Sequence, residues 1–160
     1  MSGTIISIDP SIVSTGYAFF SEDKLIDSGV IKTRPGSDSE RVGWLVQRLC
    51  GMMHLYPTLS EMIIEVPEPF SYARSQKGYR SLNLGSLQKL NWVIGGLFTL
   101  PILLSRPGIV IHAVSPRQWK GNRDKKWDQT VTGIRQKDEA DAVALGDWWR
   151  RIGRKIIEAQ

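Results

Sequence analysis

Two short apolar runs in this chain each end in a carboxylate followed closely by a proline, and they constrain the fold more than any other feature. The first, Ile5-Ile6-Ser7-Ile8, runs into Asp9-Pro10; the second, Met62-Ile63-Ile64, runs into Glu65-Val66-Pro67. Such runs read as short buried strands that the prolines terminate. A carboxylate at the end of a buried strand must be solvated, paired or bound to a cation, because burying it alone is too costly. A turn-forming Asp-Pro accounts for Asp9 equally well when that residue is taken by itself. If the two strands are parallel neighbours, however, their acids meet at the carboxyl edge of the sheet, where α/β proteins place their sites. Two like charges that close need a cation between them, or one must take a proton.

The remaining pattern supplies a sheet for these strands. Thr4–Ile8, Gly16–Phe20 and Leu25–Lys32 are predicted strands joined by short polar turns, an antiparallel meander. After Arg34-Pro35-Gly36, the residues Val42, Leu45, Val46, Leu49 and Met53 recur at helical spacing, with Ser37 or Ser39 as cap and Pro57 as stop. Met62–Val66 is the next strand, 67–80 a loop, Leu82–Phe98 an apolar helix and Ile109–Val114 a further strand. A basic connection over 115–137 then leads to a helix over 138–157. The order β-β-β-α-β-α-β-α is that of the RNase H-like α/β fold. It predicts a five-stranded mixed sheet, three strands antiparallel and the others parallel, with helices on both faces. At 160 residues, with no repeat or linker, residues 1–160 are expected to form one domain.

A third acidic element opens the last helix, in Lys137-Asp138-Glu139-Ala140-Asp141-Ala142. Asp138 and Asp141 are three apart and share one helical face. Leu145, Trp148, Trp149 and Ile152 continue that face as an apolar stripe, so both acids stand at the end of the core-facing side. Glu139 points about 100° away and suits the helix dipole instead. Asp9, Glu65, Asp138 and Asp141 are therefore the candidate catalytic and metal-binding set. An all-oxygen set suits Mg2+ or Mn2+, and two such ions about 4 Å apart can drive phosphodiester hydrolysis.

Charge points to the partner. The net charge is +5, and no acidic residue occurs between Glu68 and Asp124, a stretch carrying Arg74, Lys77, Arg80, Lys89, Arg106, Arg117, Lys120 and Arg123. Like charges repel in a compact fold, and a polyanion such as nucleic acid compensates them. Phe70 and Tyr72, flanked by Arg74 and Lys77, can stack on unpaired bases, although packing explains them equally well. Trp119 is assigned to the core, and Trp92, Trp148 and Trp149 to core or interface. Gly95-Gly96 within an apolar helix implies close approach of a second helix, at a dimer seam or inside the chain. His54 and His112 lack ligand-like spacing. Cys50, the only cysteine, allows no internal disulfide, and no secretory leader or bilayer-spanning run is evident. A cytoplasmic setting, no membrane and no organic cofactor are expected.

These segments resemble the RuvC-type Holliday junction resolvases of the RNase H-like superfamily. IISIDPSIVSTGYAFF is similar to that family's first-strand motif, MIIEVP to its second acidic strand, and DEADAVALG to the motif opening its last helix. NLGSLQKLNWVIGGL and AVSPRQWKG resemble the intervening helix and the last strand with its basic exit. The resemblance implies a homodimer that cuts four-way DNA junctions by paired nicks on strands of like polarity. It carries the metal-binding role onto Asp9, Glu65, Asp138 and Asp141. It also places Lys120, Lys125 and Lys126 where the family has basic residues that help position the scissile strand, and implies an aromatic wedge in the loop. With the basic stretch, the expected DNA-binding set is Phe70, Tyr72, Arg74, Lys77, Arg80, Arg117, Lys120, Arg123, Lys125 and Lys126. The chain departs in reading Asp-Pro-Ser for the commoner Asp-Pro-Gly, and in a compact 115–137 segment with added basic residues and Trp127. Its compactness is similar to phage-encoded members, which implies a bacterial or phage-infected host cytoplasm. Three alternatives stay open: an RNase H-like nuclease for flaps, hybrids or other branched substrates; a non-catalytic junction-binding protein; and a nucleotide-binding module, for which the chain is short.

Overall fold

The structure, a computed structural model, describes residues 3–22, 24–67, 84–121 and 127–159. Its sheet comprises β1 (Thr4–Asp9), β2 (Ser14–Ser21), β3 (Lys24–Lys32), β4 (Leu59–Glu65) and β5 (Val110–Val114), in spatial order β3-β2-β1-β4-β5. The meander pairs antiparallel, and β1–β4 and β4–β5 pair parallel, as the sequence pattern predicts. The central strand β1 is apolar on both faces because helices cover both. Ile6, Ile8, Phe19, Met62 and Ile64 pack with Leu45 and Leu49 of α1 (Asp38–Met53) and with Val93 and Leu97 of α2 (Leu84–Phe98). On the other face, Ile5, Ala18, Phe20 and Ile63 pack with Ala142, Leu145, Trp148 and Trp149.

Local chemistry fixes the helices. At the start of α1 the Ser37 hydroxyl accepts from the Glu40 N–H at 3.3 Å, while the Glu40 carboxylate accepts from the Ser37 N–H at 2.7 Å. This reciprocal capping box answers two of the orphaned donors of the first turn. Short helices α3 (Leu100–Leu103), α4 (Pro116–Trp119) and α5 (Trp127–Thr132) follow, the last two inside the segment expected to be a plain connection.

The helix that matters for the site is α6 (Lys137–Trp148), which lies directly on β1 and β2. A Cβ on Gly16 would stand 1.8 Å from the Asp138 carbonyl oxygen, and one on Gly146 would stand 2.3 Å from the Phe20 ring. Glycine at both places lets the helix settle against the strands. The Ser7 hydroxyl, projecting from β1, donates to the Ala142 carbonyl at 2.6 Å and fixes the helix along its length. Covered on nearly every side, α6 buries Ala140 to Leu145 without a break.

The expected continuous helix over 138–157 is interrupted. A π-helical turn (Trp149–Gly153) separates α6 from α7 (Arg154–Glu158). The wider turn rotates the helical face, so Ile152, expected in the buried stripe, is 49 % exposed, while Trp149 is fully buried. Glu61 anchors this turn by accepting from the Trp149 indole at 3.0 Å and pairing with His112 at 3.3 Å.

Candidate active site

Asp9 and Glu65 end adjacent parallel strands. Their predecessors Ile8 and Ile64 are register partners, so the two carboxylates emerge side by side at the carboxyl edge of the sheet. Asp9 lies opposite Gly16 of β2, and Gly16 in turn touches the Asp138 backbone. That contact carries the first turn of α6 to the same edge. Asp141, one turn further along, is 2 % exposed and reaches the strand acids through a lysine. The Lys120 ammonium stands 3.2 Å from the Glu65 carboxylate and 3.4 Å from that of Asp141. Two of the four expected acids are thus joined by one cation, which also feels the charge of Asp9.

Asp138 is held at the margin of this cluster. Its carboxylate accepts from the Ser14 hydroxyl at 2.5 Å and from the Gln136 amide at 3.4 Å. Glu139 accepts from the Ser28 hydroxyl, 2.7 Å away.

Electrostatics follow from this crowding. Burial pushes the Asp9 carboxyl up to about 8, and the charges of Glu65 and Asp141 add to the effect while Lys120 and Lys137 oppose it. Burial also acts upward on Asp141, but a hydrogen bond with Asp128, which needs a proton shared between the two carboxyls, the bond from the Lys137 ammonium, and the charges of Lys120 and Lys137 outweigh it and hold Asp141 below the usual carboxylate range. The lysines respond in kind. Burial disfavours charge on Lys120, yet Glu65, Asp141 and Asp9 raise it above the ordinary value, and Lys137 behaves similarly through Asp141. Both stay ammonium ions, and Lys137 lies 2.6 Å from Asp141.

Three contributors escaped the sequence reading. Trp119, expected only as core, is buried and also donates its indole N–H to Glu65 at 2.8 Å, fixing that carboxylate. Its ring carries the Lys120 ammonium 4.6 Å from the centroid. Asp128, 4 % exposed on α5, hydrogen-bonds to Asp141. Lys137 is the third: four residues before Asp141 on one helix, its spacing alone could have revealed the pair.

Of the expected DNA-binding residues, Arg117 is exposed on α4 and Lys120 sits in the acid cluster. Phe70, Tyr72, Arg74, Lys77, Arg80, Arg123, Lys125 and Lys126 lie outside the described residues. Gly96 packs inside the chain, where a Cβ would meet Val46 at 2.8 Å, whereas a Cβ on Gly95 would meet open space. No described helix is long and apolar enough to cross a membrane.

Among the described residues no three carboxylate or imidazole side chains stand ready as a cage around one point. The Lys120 and Lys137 ammonium groups lie among the acids instead. The donor set nevertheless fits a hard divalent cation: carboxylate oxygens from two strands and a helix, crowded enough to raise the Asp9 pKa.

No family model and no curated protein matches the sequence. Solved structures do. Thermus thermophilus RuvC in complex with a Holliday junction substrate is similar at 20 % identity and a TM-score of 0.69, over 96 % of this chain and 96 % of that one. A second T. thermophilus RuvC structure is similar at 23 % identity and a TM-score of 0.65, over 94 % and 96 %. The yeast mitochondrial Holliday junction resolvase is similar at 16 % identity and a TM-score of 0.66, over 96 % of this chain and 80 % of that one. Together with the strand order β3-β2-β1-β4-β5 and its helices on both faces, these likenesses show that the chain has the RNase H-like fold.

Proposed function

We propose that this protein is a structure-specific DNA endonuclease that resolves four-way junctions by paired, symmetric phosphodiester hydrolysis with two divalent cations, Mg2+ or Mn2+. The observation that carries the reading is the meeting of Asp9, Glu65 and Asp141 at one sheet edge around Lys120, with Asp138 beside them. The choice of junction over other DNA rests on the motif resemblance and on the fold shared with two kinds of junction resolvase.

Asp9, Glu65, Asp138 and Asp141 would hold the cations, which when bound activate a water and stabilise the leaving oxygen. The chain's own groups prepare that arrangement. Trp119 fixes the Glu65 carboxylate and Ser14 that of Asp138, so two donors are oriented before substrate arrives. Lys120, kept charged by three acids and seated on Trp119, supplies positive charge where a scissile phosphate would bind. Arg117 on the adjoining surface, with the basic residues of 74–80 and 123–126, would carry the flanking backbone, and Phe70 or Tyr72 would stack at the junction centre.

A homodimer supplies the second site that paired nicking requires. Support for the seam comes from Trp92 and Phe98, exposed three residues either side of Gly95 on α2, and from Ile102, exposed on α3. The test is a cleavage panel of four-way junction, flap, RNA–DNA hybrid and plain duplex in Mg2+ and in Mn2+. Preferential cutting of the junction is expected; preference for any other substrate overturns the reading.

A further inference from the structure

On the α1 face of the sheet, around the β3 edge from the acid cluster, lies a basic cleft that none of the assignments above uses. It opens between β3 and α1, has a volume of about 950 Å³, and is lined by Lys32, Arg34, Trp44, Gln47 and Arg48. Its near end is coupled to the site through the strand register. Lys32, the last residue of β3, pairs with Ser14 of β2, and Ser14 is the hydroxyl that holds Asp138. Strands lie about 4.8 Å apart, so β3 is about 10 Å from β1, roughly three base-pair rises of about 3.4 Å each along a DNA strand.

The charges of the cleft are uncommitted. The described ion pairs engage Lys89, Lys120, Lys137, Arg150, Arg151 and Arg154, and none engages Lys32, Arg34 or Arg48. All three are exposed. Arg34 lies over the Trp44 ring, 6.0 Å from its centroid, which holds the guanidinium at the cleft wall. The nearby acids are largely occupied: Asp38 pairs with Lys89, Glu40 closes the α1 cap, and Asp27 takes the Tyr56 hydroxyl at 3.5 Å. Three cations face one lining carboxylate, Asp27. Solvated surface cations need no partner, but three of them around the β3 edge, with Lys32 paired to the strand that holds Asp138 through Ser14, make a track for a polyanion.

We propose that this cleft binds the sugar–phosphate backbone of the duplex arm leading away from the cleaved phosphate, with Arg34 and Arg48 each contacting a phosphate and Lys32 bridging to the acid cluster. The inference rests on the nuclease reading and adds a second anchoring surface, carried by β3 and α1, to the one expected from the basic middle of the chain.

The test is equilibrium binding of a four-way junction with long duplex arms, without divalent metal so that no cleavage intervenes, across a series of salt concentrations. Each lost phosphate contact makes the slope of log K against log[salt] shallower by about 0.9. The Arg34→Ala, Arg48→Ala double variant should therefore bind more weakly, with a slope shallower by about 2, while thermal melts show the fold intact. The Arg34→Lys, Arg48→Lys variant keeps the charges and should keep the wild-type slope. An alanine variant with wild-type affinity and slope, or both variants weakened with slopes unchanged, overturns the proposal. A wild-type protein with no affinity for the junction contradicts the nuclease reading itself, whereas wild-type binding with no slope change contradicts the cleft alone.

Discussion

At the scale of single residues, Asp9 makes the metal-free protein sensitive to pH. Its carboxyl titrates near 8 in the fold instead of at the ordinary 3.8, so between those values the folded chain holds a proton that the unfolded chain has lost. The stability of the metal-free protein should fall as pH rises through this window and level off above about 8. A bound cation must displace that proton, so Mn2+ affinity measured by titration calorimetry should rise with pH up to about 8 and then flatten. A pH-independent affinity would remove Asp9 from the metal set. Trp119→Phe keeps an aromatic ring in the core but loses the indole N–H that orients Glu65, together with part of the ring's bulk. Metal affinity or cleavage should drop by about 10- to 100-fold, with stability down by about 1–3 kcal/mol. Wild-type metal binding and cleavage in this variant would show that the bond is structural only. Asp9, Glu65, Asp138 and Asp141 were legible because strand ends and helical spacing are local patterns. Trp119 and Asp128 were not, since their partners lie 54 and 13 positions away and no periodicity encodes such meetings.

At the scale of elements, the site depends on how closely α6 approaches β1 and β2. Gly16→Ala would drive a methyl into the Asp138 backbone. We expect it to lower stability by about 1–3 kcal/mol and to reduce cleavage more than its melting shift explains, because the first turn of α6 must move. Gly95→Ala meets nothing within 4 Å and should stabilise the isolated helix by about 0.5–1 kcal/mol. Thermal melts of the two variants, run side by side, check both signs. The strands and α1 were readable from period and caps, with Ser37 one of the two cap residues the sequence offered. The π-helical turn was not, since Trp149 to Gly153 carries no composition that distinguishes it from ordinary helix. What decides it is three-dimensional: the Trp149 indole reaches Glu61 and its ring packs against His112, with centroids 4.2 Å apart and the planes tilted by 39°. The short helices α4 and α5 were missed because four- and six-residue segments are too short to show a period.

At the scale of the whole molecule, paired nicking needs two sites facing one substrate, and a single chain has one. Trp92, three residues before Gly95 on α2, is 48 % exposed, and Ile102 on the following α3 is 74 % exposed. Replacing both with Glu should yield a monomer by light scattering that keeps its melting temperature but loses coordinated second-strand cutting. A variant that stays dimeric places the seam elsewhere. The central claim is that the acids at the sheet edge cut junction DNA, and strand-by-strand mapping of cleavage products tests it most directly. A four-way junction labelled on each strand in turn should receive paired nicks, symmetric across the branch point, from the wild-type protein in Mg2+ or Mn2+. The Asp9→Asn protein should bind the same junction and leave it uncut. Unpaired nicks scattered along the arms, or full cutting by Asp9→Asn, would contradict the account.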